Sequence, residues 1–99
     1  MDTDFSKRAD DVAVNDNRIT EAQIRDRIGL VEFIKPETNP HMTICVMNMK
    51  NGFSVIAHSC PVDPANYNEQ LGQDIAEKKC IDQLWQLEGY LLKEKNHTG

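Results

Sequence analysis

Few side chains in this sequence carry reactive chemistry: three cysteines at Cys45, Cys60 and Cys80, three histidines, and Glu88, a carboxylate set among leucines. Cys45 and His58 lie on the two arms of an apparent hairpin, and a soft metal accepts both ligand types. Zinc needs three or four convergent donors, however, and no CxxC or HxxxH spacing is present. A small buried thiol beside a half-exposed imidazole is the simpler expectation, with no metal and no cofactor. Cys60 falls in a loop, where nucleophilic catalysis would require a base held against the thiol, and no such partner is legible nearby. Acid pairs, P-loop spacing and triad spacing are also missing, so an enzyme is not expected.

Glu88 is the more informative residue. At 100° per residue it falls inside the apolar half of the last helix, between Leu84 and Ile81, and a carboxylate there must be paired or hydrogen-bonded. A structural partner is expected from Arg25 or Arg27, or from free backbone N–H groups. A ligand contact is the sharper alternative. Recognition of an anionic ligand, such as a signalling nucleotide held between subunits, would draw on Arg25, Arg27, Phe53 and Lys79 as the basic and aromatic groups. Trp85 and Tyr90 are expected to anchor the core rather than to stack on a ligand.

The elements that must position these residues begin at Thr20. Thr20 followed by Gln23 has the spacing of a capping box, and Ile24 and Ile28 supply an apolar stripe for a first helix ending by about residue 32. Gly29 weakens the helix, and residues 29–34 could instead form a short strand; helix is the favoured reading. The runs from Met42 to Met49 and from Phe53 to Ser59 flank Asn51-Gly52, the strongest short hairpin signal. With a two-residue loop, Ile44, Val46, Phe53, Val55 and Ala57 share the core face. Cys45, Met47, Met49, Ile56 and His58 then lie on the other, which is too apolar to face water alone. A three-residue loop exchanges some of these faces.

Asp63-Pro64 leads into a second helix from about Ala65, on which Ala76, Cys80, Leu84, Leu87 and Leu91 form one sector flanked by Ile81, Trp85 and Leu92. Gly89 is expected to bend it, and the tail from residue 96 to 99 to fray. The fold class is therefore α+β in the order α-β-β-α: an N-terminal helix, an antiparallel hairpin and a long C-terminal helix.

Composition sets the outer bounds. The 99 residues allow one domain, and the first 18, with five aspartates and few apolar groups, read as a flexible acidic arm. Roughly 80 residues remain, spanning 19–95, and a core of that size contributes only a few kcal/mol without a staple or a second subunit. A net charge of −5 disfavours a phosphate backbone as partner. The odd cysteine count and the lack of an apolar h-region or span point to reduced thiols in a cytoplasm, away from membranes.

One ordered set of residues is distinctive: Lys50-Asn51-Gly52-Phe53, the Cys60-Pro61 loop, Tyr67-Asn68-x-x-Leu71-Gly72-x-x-Ile75-Ala76, then Leu84-Trp85-x-Leu87-Glu88-Gly89-Tyr90-Leu91-Leu92. It resembles a family of small tailed-phage proteins typified by products of N4-like and Sf6-like phages, over roughly residues 19 to 95. The resemblance implies a phage or prophage gene of unassigned function expressed inside a bacterium, and supplies no active site. Gln86, Gln73 and Glu77 depart from the proline and arginines of that pattern, which weakens an anion-binding role for those positions.

Three function classes follow. The leading one is a noncatalytic accessory protein that binds a host protein or small molecule as a homo-oligomer. Met47, Met49, Ile56, Ile81, Trp85 and Leu92 are its expected interface, because a hairpin apolar on both faces is marginal alone. The second is nucleic-acid binding: with residues 30–34 as a strand, the order α-β-β-β-α would echo the double-stranded RNA-binding fold, although the start of the last helix is acidic. The third is a small enzyme without a recognisable motif.

Overall fold

The computed structural model describes residues 18–98; the acidic arm expected over 1–18 falls, apart from Arg18, outside them. Thr20 caps α1 (Glu21–Asp26) as its spacing predicts: Gln23 N–H donates to Thr20 Oγ1 at 3.1 Å, and Thr20 N–H donates to Gln23 Oε1 at 2.9 Å. The helix then stops earlier than expected. Arg27 is its C-cap, and the Arg27 carbonyl accepts from Lys50 N–H at 2.9 Å, which ties the helix end to the hairpin turn.

The run favoured as the continuation of that helix is instead a strand, β1 (Ile28–Ile34), so the order is α-β-β-β-α. Two features decide against the helix. Pairing with β2 (Thr43–Met49) lets Phe33 pack against the core, and the strand opens with a bulge between Ile28 and Val31 that holds Gly29 against backbone. A Cβ on Gly29 would lie 3.0 Å from the Asn48 carbonyl oxygen, so the glycine serves a close backbone approach and not a helical turn.

β2 and β3 (Ser54–Ser59) form the expected hairpin, and the sheet runs β1-β2-β3, antiparallel throughout. Its register differs by one residue from the two-residue-loop expectation. Met49 N–H donates to Phe53 O at 2.7 Å, and Gly52, at φ 94°, has the one left-handed backbone among the described residues. The loop is therefore Lys50-Asn51-Gly52, with only the glycine at positive φ, and not a type I′ turn that would need both central residues there. The shift exchanges the faces: Thr43, Cys45, Met47, Met49, Val55, Ala57 and Ser59 point inward, whereas Ile44, Val46, Ile56 and His58 point outward.

A single 3-10 turn at Pro64–Asn66 replaces the expected start of the second helix; Asp63 Oδ1 accepts from Ala65 N–H at 3.0 Å. α2 (Glu69–Thr98) begins after Asn68, whose side-chain oxygen accepts from Leu71 N–H at 2.9 Å. It continues through Gly89, because one glycine among good helix formers costs about 1 kcal/mol without interrupting the ladder. The end expected to fray after Lys95 is helical to Thr98.

The core lies between α2 and the inner sheet face, closed at one end by Ile24 of α1. It is graded in size. Gly72, Ala76 and Cys80 bring the helix close to Thr43, Cys45, Ala57 and Ser59, and Ser59 Oγ donates to the Gly72 carbonyl at 2.8 Å. Towards the hairpin turn the side chains grow to Ile81, Leu84, Met47 and Met49. Each large side chain fully buried here stabilises the fold by about 1.5–3 kcal/mol. The outer sheet face has no such cover among the described residues: Leu30 is 80 % and Ile56 58 % exposed.

Candidate functional site

The principal concavity follows from a mismatch of lengths. α2 has 30 residues and extends about 45 Å, whereas a seven-residue strand spans about 23 Å, so the sheet-facing stripe of the helix outruns the sheet. Beyond Leu84 that stripe continues as Leu87, Glu88 and Leu91, with Tyr90 beside it, over a floor made by Met49, the Lys50-Asn51 turn and Phe53. The resulting cleft is about 590 Å³. Its apolar walls are open to solvent; Phe53 is 52 % and Leu91 59 % exposed.

Arg27 and Glu88 form an ion pair at the waist of this cleft, from the end of α1 to the second half of α2. The Glu88 side chain is only 16 % exposed, so the guanidinium supplies the partner that a carboxylate in an apolar sector requires. Past the pair lies a second compartment of about 330 Å³, lined by Arg18, Ile19, Gln23, Leu92 and Lys95. Together the two compartments carry Arg18, Arg27, Lys50 and Lys95 against Asp26 and Glu88, a local excess of positive charge in an acidic chain.

Of the five candidate ligand residues, the structure gathers Arg27, Phe53 and Glu88 at this cleft and places the other two elsewhere. Arg25 pairs with Glu21 at 2.8 Å and Glu77 at 3.5 Å on another face, and its guanidinium pKa is raised, first by the hydrogen bond to Glu21. Lys79 Nζ donates to the His58 carbonyl at 3.0 Å, and Gln83 Nε2 donates to the Ile56 carbonyl at 2.9 Å, so both side chains tie α2 to β3.

The expected interface set divides in the same way. Met47, Met49 and Ile81 are buried inside this one chain, because the register shift turned the two methionines towards α2. Ile56 lies exposed on the outer sheet face, Trp85 is 38 % exposed on α2, and Leu92 borders the smaller compartment. Tyr90, expected in the core, is 68 % exposed on the cleft wall, since the sheet ends before reaching it. Lys50, Leu87 and Arg18 were not among the ligand candidates named from sequence; the signal available for Leu87 was its place on the core sector of a helix much longer than the hairpin, and for Arg18 its place in the basic cluster with Arg25 and Arg27.

The chemistry weighed for the thiols is not assembled. Cys45 is buried on the inner face and His58 points outward from the same hairpin, so the sheet separates them. Among the described residues no cluster of three or more histidine, cysteine or acidic groups is placed to hold a metal. Burial pushes the Cys45 thiol up to about 12 and raises Cys80 as well, leaving both protonated. Cys60, exposed in its loop, meets the Asn39 amide at 3.9 Å. The cleft itself sets apolar walls around fixed charges.

The element order meets the condition set for the RNA-binding fold, but the charge does not follow: α2 opens with Glu69 and Asp74, and Lys35 pairs with Glu69 at 3.0 Å. Among the described residues no helix is long and apolar enough to cross a membrane. No curated protein and no solved structure matches the chain. A family model does match, over residues 13–96, and its description is Phage protein (N4 Gp49/phage Sf6 gene 66) family. With most of its length covered, fold elements and cleft included, the chain belongs to this family of phage proteins.

Proposed function

We propose that this phage protein is a noncatalytic accessory factor that works in the host cytoplasm by binding, with the cleft between the hairpin turn and the overhanging half of α2 as its binding surface. The observation that carries this reading is the cleft's construction: exposed Phe53, Leu87, Tyr90 and Leu91 around a paired Arg27 and Glu88. Apolar walls with a few placed polar groups suit a small amphipathic molecule or a short stretch of a host protein. Self-association accompanies it, supported by the apolar outer sheet face on which Leu30, Ile34 and Ile56 lie exposed.

Native mass spectrometry of the full chain isolated from infected cells tests both parts. Multiples of the 11.3 kDa chain carrying added mass from a bound molecule or host protein are expected. A bare monomer from cells in which the protein is functional would overturn the reading. Nucleic-acid binding is the second reading, favoured only by the α-β-β-β-α order. A salt-dependent gel shift would establish it in place of the first.

A further inference from the structure

The two compartments of the cleft share a wall but differ in charge. The larger, about 590 Å³, is lined by Asp26 and Lys50 and by the Arg27–Glu88 pair, charges that balance. The smaller, about 330 Å³, is lined by the same pair and adds Arg18 and Lys95, with no further carboxylate on its walls. Leu91 borders both, so apolar surface runs past the ion pair from one compartment into the other. At the basic end, Arg18 Nε is buried and has no acceptor among the described residues. Carboxylate and phosphate oxygens are the strongest acceptors for a guanidinium.

We propose that the cleft takes an anionic amphiphile, a single long acyl chain lying over Phe53, Leu84, Leu87 and Leu91 with its carboxylate or phosphate head against Arg18. This rests on the binding function proposed above and names the class of ligand. A large neutral apolar chamber joined to a small basic one matches a molecule that is apolar at one end and negative at the other. An acyl chain asks for no hydrogen bonds, whereas a peptide brings backbone donors and acceptors that need partners. The larger compartment has one side-chain amide to offer, Asn51, and its oxygen already accepts from Phe53 N–H at 2.9 Å.

Charge also selects this surface over the other apolar one. The side chains that the three strands turn outward include Glu32 and no lysine or arginine, so an anionic head is repelled from the outer sheet face. Bound in the cleft, the chain would cover Phe53 and Leu91, which are left more than half exposed without it.

Methyl NMR of the full chain, titrated below the micelle concentration with dodecanoate, dodecyl phosphate, dodecanol and dodecylammonium, reads both head and tail. The two anions are expected to shift the methyls of Leu84, Leu87 and Leu91 and to bind about tenfold tighter than the alcohol, with the cation weaker still. Each added methylene should tighten binding about two- to fourfold until the larger compartment is filled. Arg18→Gln should bring the anions down to the level of the alcohol and leave the alcohol unchanged, and raised salt should act in the same direction. The head-group series in the parent chain makes the test independent of how that variant folds. Equal affinity for anion and alcohol, shifts confined to Leu30, Ile34 and Ile56 of the outer face, or no shift with any of the four would overturn the proposal. Native mass spectra carrying a host protein, while no amphiphile moves the cleft methyls, would overturn it and leave the binding function standing.

Discussion

Alanine at Gly72 and alanine at Gly89 are the same substitution in the same helix, and the structure assigns them different outcomes. At Gly89 a Cβ meets nothing within 4 Å, so Gly89→Ala is expected to stabilise by the helix-propensity difference of about 0.8–1.0 kcal/mol. At Gly72 the same propensity gain applies, but the new methyl would stand 2.9 Å from Thr43 Oγ1 and 3.5 Å from Ser59 Oγ. Thr43 is 1 % exposed and β-branched, so its hydroxyl has nowhere to swing. Overpacking of this kind costs about 1–3 kcal/mol, which cancels or exceeds the propensity gain and leaves Gly72→Ala between neutral and a net loss of about 2 kcal/mol. The propensity gain is common to both, so the two variants should differ by the overpacking cost, about 1–3 kcal/mol, or roughly 5–20 °C in melting temperature for a domain of this size. Urea unfolding followed by far-UV circular dichroism measures this, at one fixed protein concentration because association shifts apparent stability. Removing the obstructing atoms with Thr43→Ala should make the second substitution less harmful by about 1 kcal/mol. If Gly72→Ala raised the midpoint as Gly89→Ala does, the close helix–sheet contact inferred at that end of the core would be wrong.

Further predictions follow from other sites. Ellman's reagent should titrate one thiol, Cys60, in the native chain and all three in urea, since Cys45 and Cys80 are fully buried. Because the folded state holds the Cys45 proton up to about 12 against an ordinary 9.0, its contribution to stability is fully present below about pH 9 and is lost as pH climbs from there towards 12. Urea midpoints should accordingly fall between about pH 8 and about pH 10 in the parent and fall less in Cys45→Ala. Gly52→Ala places a side chain at φ 94° with open space around it, so a loss of about 1 kcal/mol, purely from backbone conformation, is expected in thermal unfolding. Arg27→Ala leaves the mostly covered Glu88 carboxylate without its partner and should destabilise by about 1 kcal/mol, whereas Glu88→Gln, which removes the charge itself, should cost less; denaturant titration of both variants checks the order.

What could be read in the sequence was local, and what could not was tertiary. Thr20 and Gln23 announce a helix start because their reciprocal bonds close within four residues, and Asn51-Gly52 announces a reversal for the same reason. The partner of Glu88 was also legible, as an arginine from the first helix, because a covered carboxylate admits few solutions. The end of α1 was not, since Ile28 continues a helical stripe and only pairing with β2 makes a strand the better use of residues 28–34. The hairpin faces were missed by one residue of loop length. A hint was present in the small side chains Thr43, Ala57 and Ser59, which alternate along one face and match Gly72, Ala76 and Cys80 on the helix that packs there. The cleft was out of reach because it depends on where the sheet ends beneath the helix, and no residue type encodes that.

The side chains of Lys79 and Gln83 also govern how this sheet can grow. Hairpin pairing alternates, so with Met49 bonded to Phe53 the carbonyls of Ile56 and His58 turn away from β2, and α2 has claimed both. On the far side, Val31 and Phe33 present backbone groups that nothing among the described residues accepts. The β3 rim thus has its two outward carbonyls engaged, whereas the β1 rim is open, so strand addition to a like ribbon would favour the β1 rim. Pairing there biases the architecture towards a closed pair over the continued stacking that two equally open rims would invite.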